Sequence, residues 1–407
     1  MEDPIENRLK PYLIDSNDAL EFKLVRKIHD LDDDSTTFKP EMSHQVFGES
    51  EQIFGYKDLK IKLYYSAGSL ETYLGMTYGE KINKKICEDV EPDEVLKKIS
   101  KFLAPKVHDN IDSFVKALSK DDTFEPAGEL IYSFTIDDQG KTRNFEVYKA
   151  DMSYKKFKEY HQHLQTFLLW YVDAASFIDI DDDQWHYFNM FERYKNEDDS
   201  VHYATIGFAT IYQYYAYPTH TRPRISQVLI LPPFQKMGLG SHLLRAIYRE
   251  YINRDEVKDI TVEDPSEDFQ RLRDYVDCLN CSTLPSFSKE KLKKGFNKNM
   301  ALEAAEKFKI NKKQARRVYE ILRLYATDMS DEKDYLEYRL DVKRRLNIPY
   351  KKGDNDIKKV EAVFKTIDKS KVNIPLQDRI KFLEKEYHNL EKEYKKVIKR
   401  LETASDC

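Results

Sequence analysis

Cysteine is scarce here. Four residues in 407 (Cys87, Cys278, Cys281 and Cys407) are too few for a disulfide scaffold and suit a reducing compartment. Cys278-Leu-Asn-Cys281 is half of a zinc ligand set; no second pair and no nearby histidine completes it, so no metal is expected. Long apolar runs are lacking as well, so no membrane span is expected. Met1-Glu-Asp-Pro-Ile-Glu6 lacks the basic-then-apolar run of a signal peptide. Nor is there an excess of positive charge: the net value of −5 argues against direct nucleic-acid binding.

That sum hides an uneven layout. Acidic runs occur at Asp30-Leu-Asp-Asp-Asp34 and Asp179-Ile-Asp-Asp-Asp183, whereas the last third is basic, as in Lys289-Glu-Lys-Leu-Lys-Lys294. The second run is no calcium loop, because its twelfth position is Met190 and no glycine makes the turn. A solvated turn is the ordinary reading of such a run.

Periodicity divides the chain. Leu59 to Tyr65 alternates with period two, as does Glu129 to Thr135, and Val95 to Leu103 and Ile111 to Leu118 have helical spacing. A longer helix is predicted from Tyr154 to Phe177, burying Phe157, Tyr160, Leu164, Leu168 and Tyr171. Strands are predicted at Trp185 to Phe191, Tyr203 to Tyr212, Arg224 to Leu231 and Asp259 to Glu263, with a helix at Ser241 to Tyr251. Past Pro285 the pattern is helical and basic, clearest from Lys313 to Tyr325. Leu376, Ile380, Leu383, Tyr387, Leu390, Tyr394, Val397 and Leu401 form a coiled-coil-like a/d seam that packs on its own protein or on a partner helix. The expected domains are 1–147, an α/β domain; 148–285, the core; 286–360, a basic helical domain; and 361–407, the tail.

The chemistry is carried by QVLILPPFQKMGLGSHLLRAIY, Gln227 to Tyr248. Glycine lets backbone pass close to a ligand, and a helix N-terminus offers unpaired N–H groups to an anion. A Rossmann fingerprint fails because Leu243 stands where its third glycine belongs, and a Walker loop is absent. What remains, Gln-x-x-Gly-x-Gly, resembles the pyrophosphate loop of the GNAT N-acetyltransferases.

Longer stretches carry a closer resemblance: FGYKDLKIKLYY, HLQTFLLWYVDAASFIDIDDDQWHYF, YPTHTRPRISQVLILPPFQ, ITVEDPSEDFQRLRD and ARRVYEILRL, in order between about Phe47 and Lys352. They resemble the type B histone acetyltransferase catalytic subunits. That resemblance implies an α/β (α+β) GNAT core with a mixed, mostly antiparallel sheet and flanking helices, an N-terminal α/β domain and a helical C-terminal region. It implies acetyl transfer from acetyl-CoA, without a metal, to lysines on the N-terminal tail of newly made, non-nucleosomal histone-4. A WD-repeat histone chaperone, a histone-3/histone-4 dimer with further chaperones, chromatin assembly, and residence in cytoplasm and nucleus are implied with it.

Carried over by position, Val228, Leu229 and Ile230 would meet the acetyl group and pantetheine through their backbone, in a gap between Gln227–Leu231 and the strand Asp259–Glu263. Gln235, Lys236, Met237, Gly238, Leu239, Gly240 and Ser241 would cradle the pyrophosphate. Glu263 matches the general base and Asp264 is a second acidic candidate. Asp173 stands where the family has Glu, and its shorter side chain argues against direct proton transfer. Glu49, Ser50, Glu51, Tyr212, Gln213 and Tyr214 match segments that contact the histone tail.

The residues by themselves support the same chemistry. Lysine, with a pKa of about 10.4, must lose a proton before it attacks at neutral pH. A partly desolvated carboxylate at a strand end can take it, and a backbone N–H of Leu229 or Ile230 can polarise the carbonyl. No cysteine sits beside the loop, which favours direct attack over an acyl-cysteine route. A basic tail calls for an acidic groove, from Glu49, Glu51, Asp173 and Asp264, with walls from Tyr212, Tyr214 and Tyr215. Two alternatives share the loop: an acetyltransferase for small amines or protein N-termini, and a non-catalytic acyl-CoA-binding scaffold. The tail beyond Ser370 carries no candidate catalytic group, so its removal is expected to leave turnover within a few-fold.

Overall fold

The alternating stretch at Leu59 to Tyr65 is the strand Lys60–Ser66 in the computed structural model of the chain, which describes residues 8–83, 90–138, 140–351 and 376–405. Cys87, Cys407, the first seven residues and positions 361–375 of the expected tail lie outside the described residues. The chain divides into two units: 1–214 with 225–247, and 215–224 with 248–407. His220–Ile230, a strand, and Leu239–Ile252, a helix, each cross that division along the chain.

In the first unit, a four-stranded sheet has β1 (Leu20–Val25), β2 (Lys60–Ser66), β3 (Thr72–Thr77) and β4 (Val107–His108) in that order. Its outer pairings are parallel and the central one antiparallel. Ile61, Leu63 and Tyr65 are wholly buried, as period two requires of a core-facing strand side. A second sheet runs through β5 (Glu129–Asp138), β6 (Lys141–Ala150), β7 (Trp185–Lys195), β8 (Val201–Ala216) and β9 (His220–Ile230), the first four successively antiparallel to one another. This is the mixed, mostly antiparallel sheet that the sequence led us to expect.

The long helix expected at Tyr154 to Phe177 is broken. Phe157–Leu164 is α-helical, Gln165–Phe167 a 3-10 turn, and Leu168–Tyr171 one further helical turn. All five residues assigned to its apolar face are buried. The interruption has local and tertiary causes. Thr166 donates its hydroxyl back to the His163 carbonyl (2.6 Å), which competes with helix bonding. At the end, the amides of Glu41 and Met42 take the Trp170 carbonyl (3.0 and 3.2 Å).

The second unit is mostly helical. The strand expected at Asp259 to Glu263 is reduced to β10, Thr261–Val262. Ile260 instead donates its amide to the Lys309 carbonyl (2.9 Å), and the Asp259 carboxylate is held by Arg222. Parallel bridging of Thr221 to Val257 sets this segment beside the first residues of β9. The helices are α1 (Glu267–Ser282), α2 (Lys298–Phe308), α3 (Lys312–Tyr325), α4 (Glu332–Leu346) and α5 (Leu376–Ser405).

The a/d seam packs on its own chain. Helix α5 lies against α1, α3 and α4 and buries Tyr387, Tyr394, Val397 and Leu401, while Ile380 stays exposed. Tyr394 donates to the fully buried Glu320 carboxylate (2.9 Å), and Glu393 accepts from Arg271 (2.7 Å). The tail is therefore part of the unit's core, and the expectation that it can be removed freely is revised below. No helix among the described residues is long and apolar enough to cross a membrane.

Candidate active site

Alternation along β9 buries Ile225, Gln227 and Leu229 and leaves Val228 and Ile230 half-buried on the other face. The chain then turns through Pro232–Phe234 and enters the helix Leu239–Ile252, so the strand end and helix start are joined by Gln235 to Gly238. Gln235 folds its side-chain amide back onto the Ile230 carbonyl (3.0 Å). Lys236 and Gly238 have φ of 64° and 81°, a region that glycine enters freely and lysine only at a small cost. Ser241 gives both its amide (3.0 Å) and its hydroxyl (2.7 Å) to the Gly238 carbonyl. Those bonds make Ser241 a staple of the loop. The amides of Gly238, Leu239 and Gly240 have no acceptor among the described residues, which is the donor set an anion needs at a helix start.

Residues remote in sequence brace this loop. Phe234 lies between the guanidinium groups of Arg26 and Arg143, 5.9 and 5.8 Å from its ring. Arg143 makes a two-pronged contact with Glu192 (2.8 Å twice), and Arg26 reaches the same carboxylate. Burial pushes the Glu192 carboxyl up, but the two arginines outweigh it and hold it below the usual range. Arg143 also approaches the Met237 sulfur at 3.6 Å. His242, in the first turn of the helix, stacks on Phe134 at 3.8 Å; burial, then Arg245, pushes its pKa down to about 4. A neutral imidazole therefore stands at this positive helix end.

Gly207 was not singled out from sequence, yet it shapes the strand on which the cofactor contacts were expected. A Cβ there would meet the Leu229 carbonyl oxygen at 2.2 Å and the Ile230 Cα at 2.9 Å. The register also shifts here: Met190 pairs with Gly207 and Phe191 with Thr205, leaving Ile206 as a bulge whose carbonyl accepts from Leu231 (2.9 Å). An isolated glycine inside a strand pattern is the signal that could have found it. Gly207→Ala must push β8 and β9 apart, so it is expected to destabilise by about 1–3 kcal/mol and to weaken acetyl-CoA binding. Melting curves with and without acetyl-CoA check this; wild-type values in both would mean the close approach is not needed.

The acidic candidates divide. Glu263 and Asp264 are both exposed, so the partial desolvation expected of Glu263 is not a property of the chain by itself. Asp264 takes a φ of 31°, a turn that separates Glu263 from the helix capped by Ser266. In the first unit Glu49 and Ser50 are exposed, but Glu51 is engaged. Its carboxylate accepts from the amides of Ser43 (2.6 Å) and His44 (2.9 Å) and from Asn17 (2.8 Å). The Ser43 bond is the main cause holding it below the usual carboxylate range. Glu51 thus organises its own loop while keeping the negative charge expected of it. Asp173 is exposed and meets His44 Nε2 at 3.1 Å, with Glu51 3.7 Å from Nδ1 of the same ring. His44 was not a candidate; nothing within its short helix marks it in sequence.

Tyr212 and Tyr214 are not core. Tyr214 is exposed, Tyr212 half-buried, and their rings lie 4.6 Å apart, with Trp185 5.0 Å from Tyr212. Gln213 donates its amide to the Gln184 carbonyl (3.0 Å). A hydrogen bond to Asp182 is the main cause raising the Tyr212 hydroxyl. The run Asp179–Asp183, read from sequence as a solvated turn, is thereby set beside the aromatic pair. Cys278 and Cys281 are buried free thiols, both pushed up by that burial. The described residues contain no group of His, Cys, Asp and Glu able to hold a metal.

Three family models match the chain. Residues 12–173 match one described as Histone acetyl transferase HAT1 N-terminus, 145–272 the Acetyltransferase (GNAT) family, and 273–324 the C-terminal part of Histone acetyltransferase type B catalytic subunit. Among curated proteins, the chain is similar to the Histone acetyltransferase type B catalytic subunit of Mus musculus, 47% identical over 98% of this chain and 96% of that protein. The Homo sapiens protein of that name is 46% identical over 98% and 95%. A Dictyostelium discoideum relative is 35% identical over 86% and 78%.

Proposed function

The chain belongs to the type B histone acetyltransferase catalytic subunit family and is an acetyl-CoA-dependent acyltransferase; from that premise we propose that it acetylates lysines on the N-terminal tail of newly synthesised, non-nucleosomal histone-4, with Glu263 as general base. One observation carries the choice of a basic, flexible substrate: Trp185, Tyr212 and Tyr214 form an aromatic surface with the Asp182 carboxylate beside it. Aromatic faces cover the apolar stems of lysines while carboxylates attract their charge.

Acetyl-CoA supplies an activated acetyl thioester, and the residues present fit it. The free amides of Gly238, Leu239 and Gly240 would hold its pyrophosphate, and Gln235 and Ser241 keep that loop in shape. The backbone of Val228 to Ile230 would line its acyl arm, with an N–H there polarising the carbonyl. Glu263 would accept the proton of the lysine amine, and Asp173, held by His44, would help seat the tail. Family membership supports the remaining inferences: a WD-repeat chaperone subunit, a histone-3/histone-4 dimer as the larger substrate, a role in histone deposition, and traffic between cytoplasm and nucleus.

Mass spectrometry of a histone-4 tail peptide, a protein N-terminal peptide and a polyamine, each incubated with enzyme and acetyl-CoA, tests the substrate. Modification of internal tail lysines is expected. Preference for either other acceptor would replace the proposal, and CoA binding without any product would make the chain a scaffold. Peptide KM should also rise with salt, since exposed charges are screened within about 8 Å at physiological ionic strength. Asp182→Asn should raise KM by about two- to fivefold with kcat unchanged, the range of an exposed ion pair. A KM indifferent to both salt and Asp182→Asn would remove the acidic-surface argument.

A further inference from the structure

The helical unit contains a cavity of about 1240 Å³ whose wall includes Thr261, Val262 and Pro265, next to Glu263 in the chain, but whose cations have no part in the proposed acetyl transfer. Nine of its twenty lining residues are Arg or Lys and one, Asp341, is acidic, so a chain of net charge −5 concentrates positive charge here. Two layers of cations can be distinguished. The inner one is braced from behind. Arg316 gives Nε to Glu320 (2.8 Å) and Nη2 to Asp341 (2.8 Å), Arg317 gives Nε to Asp274 (2.6 Å), and Arg345 gives Nε and Nη2 to Glu320 (2.5 and 2.8 Å). Glu320 and Asp274 are fully buried, so they fix these forks as second partners. Nη1 of Arg316 and of Arg345, and both Nη atoms of Arg317, have no acceptor among the described residues. The outer layer, Lys312, Lys313 and Arg344, is exposed and has no carboxylate partner among the described residues.

Glu320, Asp341 and Asp274 counter the inner arginines, but Lys312, Lys313 and Arg344 add charge with no carboxylate partner among the described residues, and such a surplus around one hollow favours an anion. Guanidinium forks with unspent N–H donors suit phosphate oxygens, which accept in pairs and carry more charge per group than a carboxylate. Cations contributed by helices α3 and α4 and facing one hollow favour a compact scaffold bearing several phosphates over an extended acidic chain. Tyr394, Phe296 and Leu390 add apolar wall for such a scaffold. We propose that this cavity binds a small, multiply phosphorylated molecule. Its lining shares no residue with the Gln235–Ser241 loop.

The test uses the full chain with saturating CoA, so that the loop is already filled. Inositol hexakisphosphate, and in a parallel arm inorganic tripolyphosphate, are titrated by calorimetry at physiological salt. One-to-one saturable binding is expected from at least one, and the tighter of the two tells a ring scaffold from a linear one. The triple variant Lys312→Gln, Lys313→Gln, Arg344→Gln removes only exposed cations that have no carboxylate partner among the described residues and should weaken binding by roughly tenfold or more, each charged hydrogen bond being worth a few-fold at least. Lys289→Gln, Lys291→Gln, Lys294→Gln removes the same charge outside the lining and should leave it within about twofold, as expected of screened surface charge. The proposal is overturned by no saturable binding of either probe, by equal losses in the two triple variants, or by a decaglutamate peptide binding as tightly. Because the readout is binding, the result stands whatever residue proves to be the base.

Discussion

Glu263→Gln should lower kcat by about 10²–10⁴-fold, the usual contribution of a positioned general base, while acetyl-CoA binding persists. The substitution keeps the side chain's shape and removes its capacity to take a proton at neutral pH. The sign of the pH dependence follows from the substrate. Lysine titrates near about 10.4, so at higher pH more of the amine is already neutral and less depends on a base. The deficit should therefore shrink as pH rises. Asp264→Asn should cost less: Asp264 lies past the strand in a left-handed turn, which redirects its side chain from that of its neighbour. Asp173→Asn should act mainly on peptide KM, because Asp173 is engaged by His44. Near-normal kcat in Glu263→Gln, together with loss in Asp264→Asn or Asp173→Asn, would assign the base elsewhere. A loss that stays constant to high pH would point to a structural role for Glu263.

Truncation after Ser370 should unfold or severely destabilise the helical unit. It removes Tyr387, Tyr394, Val397 and Leu401, all buried against α1, α3 and α4. At about 1.5–3 kcal/mol for each buried large side chain, the gross loss is roughly 6–12 kcal/mol, comparable to the whole stability of an ordinary domain of about 5–15 kcal/mol. Glu320 would in addition lose the Tyr394 hydroxyl while remaining paired only to arginines. A fall in Tm of more than about 10 °C, or loss of one cooperative transition, is expected by calorimetry. Ile380→Ala is the control: Ile380 is exposed on the same helix and should change little. If the truncated protein melted like the full chain and turned over within a few-fold, the tail would be an appendage after all.

Much of the candidate site was legible because its signals are local. Gly238 and Gly240 stand within one turn of a helix start, so the loop can be read from spacing and composition alone. The strands at Lys60–Ser66 and Glu129–Asp138 follow from alternation, and Lys312–Tyr325 from helical spacing. Where local signals competed with tertiary ones, the reading failed. Tyr154 to Phe177 has helical spacing throughout, yet bonds from Thr166 and from the Glu41–Met42 amides interrupt and end the helix. Asp259 and Ile260 look like strand, but Arg222 and Lys309 claim them first.

What the sequence determined by itself was the family, the sheet, and the Gly-x-Gly turn before a helix that we propose for acetyl-CoA, all properties of contiguous residues or of their order. Only tertiary structure could decide which distant residues meet. Glu51 is held by three donors, His44 lies between it and Asp173, and Arg26 and Arg143 converge on Glu192 behind Phe234. The run at Asp179–Asp183 gains an aromatic neighbour through pairing of Trp185 with Tyr212. A heptad seam likewise defines an apolar face and leaves its cover open, because hydrophobic burial has no direction of its own. Helices α1, α3 and α4 supply that cover.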